Sequence, residues 1–171
     1  YIRLIELALA RSLAALVLVP EIALTPQTGG RLIGRLPGHR VAVLHSALTA
    51  AQRHQQWRLA LNGEADVVLG ARSAVFAPIQ PGRLGLIIVD EEHDGSYKQD
   101  QAPRYHGRDV AVRRAQLEGC PVLLGSATPS LESWFNATRR DTYRLHELPN
   151  RIGRATLPKV HVVDFAEERR D

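Results

Sequence analysis

Short apolar runs alternate with longer segments of mixed polarity along most of the chain. The runs are rich in Val, Ile and Leu, which is typical of strands buried on both faces of a sheet. The predicted strands are Leu13–Val19, Val41–Leu44, Asp66–Leu69, Leu86–Val89, Pro121–Leu124 and Val160–Val163. The segments between most of them carry helical spacing or helix start and stop signals. The predicted helices are Tyr1–Ser12, Thr25–Leu36, Thr49–Leu61, Arg108–Leu117 and Ser130–Thr138.

Strands that alternate with helices predict an α/β fold with a doubly wound, mostly parallel sheet. Most of the predicted strands end in a polar motif, and parallel strands bring their carboxyl ends to one edge, where ligands bind. Residues 95–107 are predicted to form an irregular loop that contains two tyrosines. Residues 1–149 are predicted to form the lobe, and residues 150–171 a polar, basic connector.

The stretch Leu86–His93 is the chemical centre of the sequence, because a buried strand runs directly into three carboxylates and a histidine. Asp90 is expected to hold Mg²⁺, directly or through water, since a hard cation prefers oxygen ligands. Glu91 is expected to position or deprotonate the water that attacks a γ-phosphate. The alternative is an acidic helix N-terminus, where Asp and Glu favour the positive end of the helix dipole.

Composition narrows the class of protein. Hydrophobic residues make up 44% of the 171 residues, which excludes wholesale disorder, and no apolar run is long enough for a membrane span. A single cysteine, Cys120, excludes a disulfide within the chain and fits a reducing cytosol. The net charge of +4 comes almost entirely from arginine; it is compatible with a polyanionic partner, and a general bias of composition towards arginine explains it equally well.

Six motifs, in order along the chain, together resemble the first motor lobe of a superfamily-two helicase of the replication-restart type. They are Leu18–Gln27, Val43–Ser46, Gly70–Pro78, Asp90–Gln99, Arg104–His106 and Gly125–Ser133. The resemblance covers nearly the whole chain and implies a RecA-like P-loop NTPase lobe. The first strand and the phosphate loop of that lobe are absent, since neither Lys98 nor Lys159 follows a glycine as the loop requires. With no methionine and a helical opening, the chain is expected to be an internal piece of a longer protein.

The resemblance assigns catalytic roles to two of these motifs. Asp90–His93 resembles a DEAH-type Walker B box, in which His93 links the nucleotide site to the rest of the motor. Ser126 and Thr128 resemble the motif that senses this box and couples hydrolysis to movement. The alternatives are an ordinary surface histidine for His93 and, for the two hydroxyls, capping of the helix Ser130–Thr138.

A second group of residues is assigned to single-stranded DNA by the same resemblance. The helix start after Pro20 and Arg72 resemble elements that follow the DNA backbone in the family, and the loop after His93 resembles an aromatic-rich loop that contacts unpaired bases. The residues carried over are Glu21, Thr25, Gln27, Arg72, Ser73, Tyr97, Lys98, Arg104 and Tyr105. The alternatives are a surface salt bridge for Arg72 and, for the loop, tyrosines that pack on the domain.

The resemblance also implies the activity of a parent enzyme, a bacterial cytoplasmic and nucleoid-associated protein with no membrane contact. That enzyme is expected to use ATP and Mg²⁺, to move 3′ to 5′ on single-stranded and forked DNA, and to restart stalled forks by primosome assembly. Its expected partners are the second helicase lobe of the same chain, primosome proteins and single-strand-binding protein, and its zinc site lies outside this segment. The segment alone is expected to be inactive. The alternatives are a lobe of another superfamily-two DNA translocase and a non-catalytic DNA-binding lobe.

Overall fold

A computed structural model describes residues 1–21, 30–31 and 33–149 of the chain. The helices with defined bounds in this part are α1 (Ile2–Leu9), α2 (Ala50–Leu61), α3 (Gly107–Glu118) and α4 (Leu131–Thr138). The strands are β1 (Ala14–Leu18), β2 (Val41–Leu44), β3 (Val67–Gly70), β4 (Leu84–Val89), β5 (Lys98–Gln99), β6 (Tyr105–His106) and β7 (Val122–Leu124). Short 3₁₀ turns lie at Arg72–Phe76 and Gly95–Tyr97.

The main sheet has the strand order β2-β3-β1-β4-β7, and every neighbouring pair in it is parallel. Alternate residues of β1 enter two different cores. Leu16 and Leu18 pack in a cluster that also contains residues of α2 and α3, whereas Ala15 and Val17 pack in a cluster that contains Ile5 of α1. Helices therefore cover both faces of the sheet, and the predicted α/β fold with a doubly wound parallel sheet is confirmed.

The predicted strand positions agree with the structure to within a few residues. The largest difference among them is at β4, which begins at Leu84 because Leu84 pairs with Ala14 ahead of the predicted start. The predicted strand Val160–Val163 and half of the predicted helix Thr25–Leu36 lie outside the described residues.

The prediction of an irregular loop over residues 95–107 is wrong. The segment contains the 3₁₀ turn Gly95–Tyr97 followed by an antiparallel pair, in which Lys98 lies opposite His106 and Gln99 opposite Tyr105. Strands of two residues are too short for hydrophobic periodicity to indicate them. We call residues 98–106 the aromatic hairpin.

The chain divides into two compact units, Tyr1–Trp134 and Phe135–Asp171. The first unit contains both sheets and all the candidate site residues that the structure describes. The predicted boundary between a lobe (1–149) and a connector (150–171) stays a prediction, because residues 150–171 lie outside the described part. None of the helices in that part has the length and hydrophobicity that a bilayer span requires.

Helix α2 begins with a capping box, which satisfies backbone donors that the first turn leaves free. The Thr49 hydroxyl accepts from the Gln52 backbone N–H at 3.3 Å, and the Gln52 side chain accepts from the Thr49 N–H at 3.0 Å. Asn62 follows as the C-cap and Gly63 adopts a φ of 71°, so the predicted stop signal at these two residues is confirmed.

Replacing Thr49 by Ala should lower the free energy of unfolding by about 1 kcal/mol, because the substitution removes the capping hydroxyl. Urea denaturation followed by circular dichroism measures this change. Thr49→Ser keeps an accepting hydroxyl and serves as the control. An equal loss in both variants would contradict a capping role.

Candidate nucleotide site and aromatic hairpin

The candidate site lies where β4 leaves the sheet between its two neighbours. The Asp90 N–H donates to the Leu18 carbonyl at the end of β1, and the Gly125 N–H donates to the Val89 carbonyl, both at 2.9 Å. The Glu92 N–H donates to the Gly125 carbonyl at 3.0 Å. The polar residues after β4 and β7 therefore start side by side at one edge, as parallel strand ends predict.

Asp90 is half-buried and held by the phenol of Tyr1, the residue that precedes α1. Oδ1 of Asp90 accepts a hydrogen bond of 2.6 Å from the Tyr1 hydroxyl. Burial, together with the hydrogen bond to the Asp90 carboxylate and its charge, raises the pKa of Tyr1 well above its ordinary value, so the phenol stays a donor. A Cβ at Gly125 would lie 1.8 Å from the Tyr1 oxygen, which means that only glycine there leaves room for this contact.

Glu91 has a strained backbone. Its φ of 45° lies in the left-handed region, which costs a non-glycine residue roughly 1–3 kcal/mol and is found preferentially at functional sites. Glu91 directly follows Asp90 in the sequence, and the two carboxylates offer the oxygen ligands that Mg²⁺ prefers. The described residues contain no cluster of three or more His, Cys, Asp or Glu side chains suited to a metal. Mg²⁺ needs no such cluster, since proteins usually hold it through one or two carboxylates, water and substrate phosphates.

His93 connects the residues after β4 with those after β7. Its Nδ1 lies 2.7 Å from the Ser126 hydroxyl and 3.6 Å from Oε2 of Glu91, while its Nε2 lies 3.3 Å from the Thr128 hydroxyl. Both hydroxyls of the predicted coupling motif thus meet the histidine. The cap of α4 comes from a different residue, because the Ser130 hydroxyl accepts from the Ser133 N–H at 3.2 Å.

Glu92 is a residue that the sequence analysis missed. Its side chain is 1% exposed, and its carboxylate is fully surrounded by donors. Oε1 accepts from the Ser130 N–H at 2.7 Å, and Oε2 accepts from Arg108 at 3.0 Å and from the Ser133 hydroxyl at 2.9 Å. The run of three consecutive acids was the sequence signal for this role, because three adjacent carboxylates cannot all face one site. Glu92 joins the end of β4 to the starts of α3 and α4.

Tyr97 corrects one of the DNA predictions. The side chain is fully buried in the core, and its hydroxyl donates to the Asp90 backbone carbonyl at 2.7 Å. Burial, followed by the charges of Asp90 and Asp94, raises the pKa of this phenol far above its ordinary value. A ring with no exposed surface cannot stack on a base, so the prediction that Tyr97 contacts DNA is wrong in this structure.

Arg72 has hydrogen-bond partners within the protein. Its guanidinium donates to the Ser96 carbonyl at 2.9 Å and to the Lys98 carbonyl, and it lies 6.0 Å from the centre of the Tyr105 ring. These contacts direct the charged group towards the protein, whereas the prediction placed it on a DNA phosphate. The alternative of a surface salt bridge is wrong, because the partners are backbone carbonyls, and the DNA contact of Arg72 stays a prediction.

Five of the remaining predicted DNA residues lie in the part of the chain that the structure describes. Glu21, Ser73, Lys98 and Arg104 are exposed, and Tyr105 is half-buried with its ring 5.0 Å from that of Phe76 in an edge-on contact. A cavity of about 420 Å³ opens at the aromatic hairpin and is lined by Lys98, Gln99, Asp100, Arg104 and Tyr105. Thr25 and Gln27 lie outside the described residues.

The sequence matches a helicase family over the region that contains this site. The DEAD/DEAH box helicase family matches residues 2–135. The chain belongs to the DEAD/DEAH box helicase family. Membership of this family implies the use of ATP and Mg²⁺, for which Asp90 and Glu91 are the candidate residues.

Two individual relatives show which kind of helicase the chain is similar to. The chain is 48% identical to the replication restart protein PriA of Bacillus subtilis, over 100% of this chain and 21% of that protein. It is 49% identical to PriA of Synechocystis, over 98% of this chain and 20% of that protein. The chain therefore spans about a fifth of the length of these relatives. The resemblance to replication-restart helicases is confirmed.

Solved structures confirm the fold. Saccharomyces cerevisiae Dbp5 bound to RNA and ADP BeF3 aligns with a TM-score of 0.50 and 18% identity, over 78% of this chain and 34% of that chain. A substituted form of Dbp5 with the same ligands aligns with a TM-score of 0.52 and 17% identity, over the same shares of the two chains. The fold is a RecA-like helicase lobe, as the sequence motifs implied.

Replacing Glu92 by Gln should lower the free energy of unfolding by about 3 kcal/mol, because it removes the buried counter-charge of the Arg108 guanidinium and leaves it with the exposed carboxylates of Asp109 and Glu132. Glu132→Gln is the control: Glu132 also lies 4.0 Å from Arg108, but its side chain is 72% exposed, so the loss should stay within about 0.5 kcal/mol. Urea denaturation measures both. Equal losses would contradict a buried ion pair.

The difference in unfolding free energy between the unsubstituted protein and Glu92→Gln should depend on pH. Burial raises the pKa of Glu92, but hydrogen bonds from Ser130, Arg108 and Ser133 outweigh it, and the net pKa is lowered. A lowered folded pKa contributes stability that is present above the ordinary carboxylate pKa of about 4.3 and is lost as the pH falls through the folded value. The stability gap between the unsubstituted protein and Glu92→Gln should therefore narrow in acid, and a constant gap would contradict the assignment.

Proposed function

We propose that the chain is the first RecA-like lobe of an ATP-dependent DNA helicase that acts in replication restart. The observation that carries the proposal is the convergence of Asp90, Glu91 and His93 with Ser126 and Thr128 at one edge of the sheet. Identity of 48% to PriA along the whole chain supports the replication-restart class. Since the chain spans about a fifth of that relative, we infer that it works as the corresponding part of a longer enzyme.

The candidate site assigns a role to each polar side chain. Asp90 would hold Mg²⁺, directly or through water, and the bound ion would offset the charge of the nucleotide phosphates. Tyr1 donates to one oxygen of Asp90 and so fixes the direction of that carboxylate. Glu91 would orient or deprotonate the attacking water. His93, bonded to Ser126 and 3.6 Å from Glu91, would transmit the state of the site to the segment after β7.

Hydrolysis needs groups that this sequence does not contain. Phosphoryl transfer in this class requires a phosphate loop with its lysine and an arginine from a second lobe, and neither lysine here follows a glycine. We propose that the longer enzyme supplies both, along with a zinc site. We further propose that it binds forked DNA, primosome proteins and single-strand-binding protein at the bacterial nucleoid.

The aromatic hairpin is the proposed contact with single-stranded DNA. Its cavity combines the half-buried ring of Tyr105 with the exposed cationic groups of Lys98 and Arg104, which suits a base stacked on an aromatic face and a phosphate nearby. Lys98 is paired with Asp100 at 3.3 Å, an exposed ion pair that a phosphate can replace at little cost. Glu21, Thr25, Gln27, Arg72 and Ser73 keep their proposed place along the DNA backbone, and Tyr97 is withdrawn from the DNA contacts.

In the full-length protein, Glu91→Gln should abolish steady-state ATP hydrolysis and leave nucleotide binding intact, because the amide has nearly the same shape but cannot accept the proton of water. DNA-stimulated ATPase rates and fluorescent ATP-analogue binding measure the two properties. Glu147→Gln makes the same change at an exposed glutamate and should keep the unsubstituted rate. Normal turnover in Glu91→Gln would remove Glu91 from its role.

Tyr105→Ala should raise the single-stranded DNA concentration that half-saturates the ATPase by roughly 5- to 150-fold, since stacking of one base on an aromatic ring contributes roughly 1–3 kcal/mol. Tyr105→Phe keeps the ring and should bind DNA like the unsubstituted protein. The titration is run at fixed salt, because phosphate contacts are salt-dependent. An unchanged half-saturation point in the alanine variant would exclude stacking on Tyr105.

A further inference from the structure

Tyr1 reaches Asp90 from the start of a helix that the core holds in place. Ile5 lies one turn further along α1, on the same side of the helix as Tyr1, and it is fully buried. It packs in one core cluster with Val17 of β1 and Ile88 of β4. This packing holds the start of α1 beside the end of β4, so that the Tyr1 hydroxyl and the Asp90 carboxylate meet although 89 positions separate them.

The hydrogen bond from Tyr1 orients the Asp90 carboxylate. The hydroxyl donates to Oδ1 at 2.6 Å, a short distance that is typical of a charged acceptor. The Asp90 backbone is already held, because its N–H donates to the Leu18 carbonyl, so the phenol acts on the side-chain torsions that remain. The bond engages Oδ1 and leaves Oδ2 as the oxygen for Mg²⁺ or for one of its water ligands.

Gly125 leaves the space that the phenol occupies. A Cβ there would lie 1.8 Å from the Tyr1 oxygen and 2.9 Å from its Cζ, so the ring would have to move. The Gly125 backbone has little freedom to retreat, because its N–H donates to the Val89 carbonyl and its carbonyl accepts from the Glu92 N–H. The contact between Tyr1 and Asp90 therefore depends on the absence of a side chain at residue 125.

We propose that Tyr1 is a positioning residue that sets the affinity of the site for Mg²⁺ through Asp90. The inference deepens the proposed function and rests on its assignment of Asp90 to the ion. Groups that orient a metal-binding carboxylate typically change metal affinity by roughly 10- to 100-fold. Phosphates of the nucleotide and water also hold Mg²⁺, so we expect an effect near the lower end of that range. In this role Tyr1 contacts neither the ion nor the nucleotide.

The test uses Tyr1→Phe in the full-length protein, with Mn²⁺ as a spectroscopic substitute for Mg²⁺. Phenylalanine keeps the ring and removes the hydroxyl at a residue that is 46% exposed, so the variant should fold. Electron paramagnetic resonance gives the dissociation constant of Mn²⁺ at saturating ADP, which should rise roughly 10-fold. The affinity for ADP in EDTA, measured by calorimetry, should stay within about twofold, because the contact acts only on the ion's ligand. The Mg²⁺ concentration that half-saturates the ATPase should rise in the same proportion as the Mn²⁺ dissociation constant.

Gly125→Ala tests the same contact without removing the hydroxyl. The new methyl group would displace the phenol from Asp90, so this variant should weaken Mn²⁺ binding as much as Tyr1→Phe does. The double variant should lose no more than either single variant, and losses that multiply would overturn an action through this one contact. Tyr143→Phe removes a phenol outside the unit Tyr1–Trp134 and is the control.

Asp90→Asn separates the inference from the proposed function. It should weaken Mn²⁺ binding at least as much as Tyr1→Phe, and adding Tyr1→Phe to it should cause no further loss. Unchanged or tighter Mn²⁺ binding in Tyr1→Phe, or an equal loss of ADP affinity in EDTA, would overturn the inference and leave the assignment of Asp90 standing. Unchanged Mn²⁺ binding in Asp90→Asn would overturn both.

Discussion

The site depends on the parallel pairing of β4 with a neighbour on each side. Hydrogen bonds to β1 and β7 hold Val89 level with Leu18 and Leu124, and the buried faces of β4 leave no place for charge along the strand. Charged groups therefore gather where the strand ends, and the end of β7 brings the hydroxyls of Ser126 and Thr128 to the same edge. The convergence of Asp90 with His93 and the residues after β7 follows from this register.

A buried carboxylate places a second requirement on the same edge. Glu92 cannot stay charged at 1% exposure unless donors surround it, and the structure meets this need with Arg108 from α3 and with Ser130 and Ser133 from the start of α4. The segments that follow the aromatic hairpin and the residues Ser126–Thr128 are thereby tied to the turn after β4. Of the three consecutive acids, Glu92 anchors the fold, and Asp90 and Glu91 are the two that we propose for the nucleotide site.

Two tyrosines near the aromatic hairpin show why residue type alone does not define a role. Tyr97 and Tyr105 stand eight positions apart in one basic segment, and the family resemblance places both on DNA. The first is fully buried and bonded to the Asp90 backbone, whereas the second lines an open cavity. Burial separates a ring that can meet a base from one that can only hold the protein together.

The sequence by itself determined the alternation of strands and helices, the parallel sheet, the acids at the end of β4 and the helicase family. These follow from short apolar runs and from motifs of adjacent residues, which are local properties of the chain. Only the tertiary structure decided that Tyr1 bonds to Asp90, 89 positions away, and that Arg72 bonds to backbone carbonyls 24 and 26 positions away. Such contacts depend on which surfaces pack together and how much room a glycine leaves, and no spacing rule along the chain contains that information.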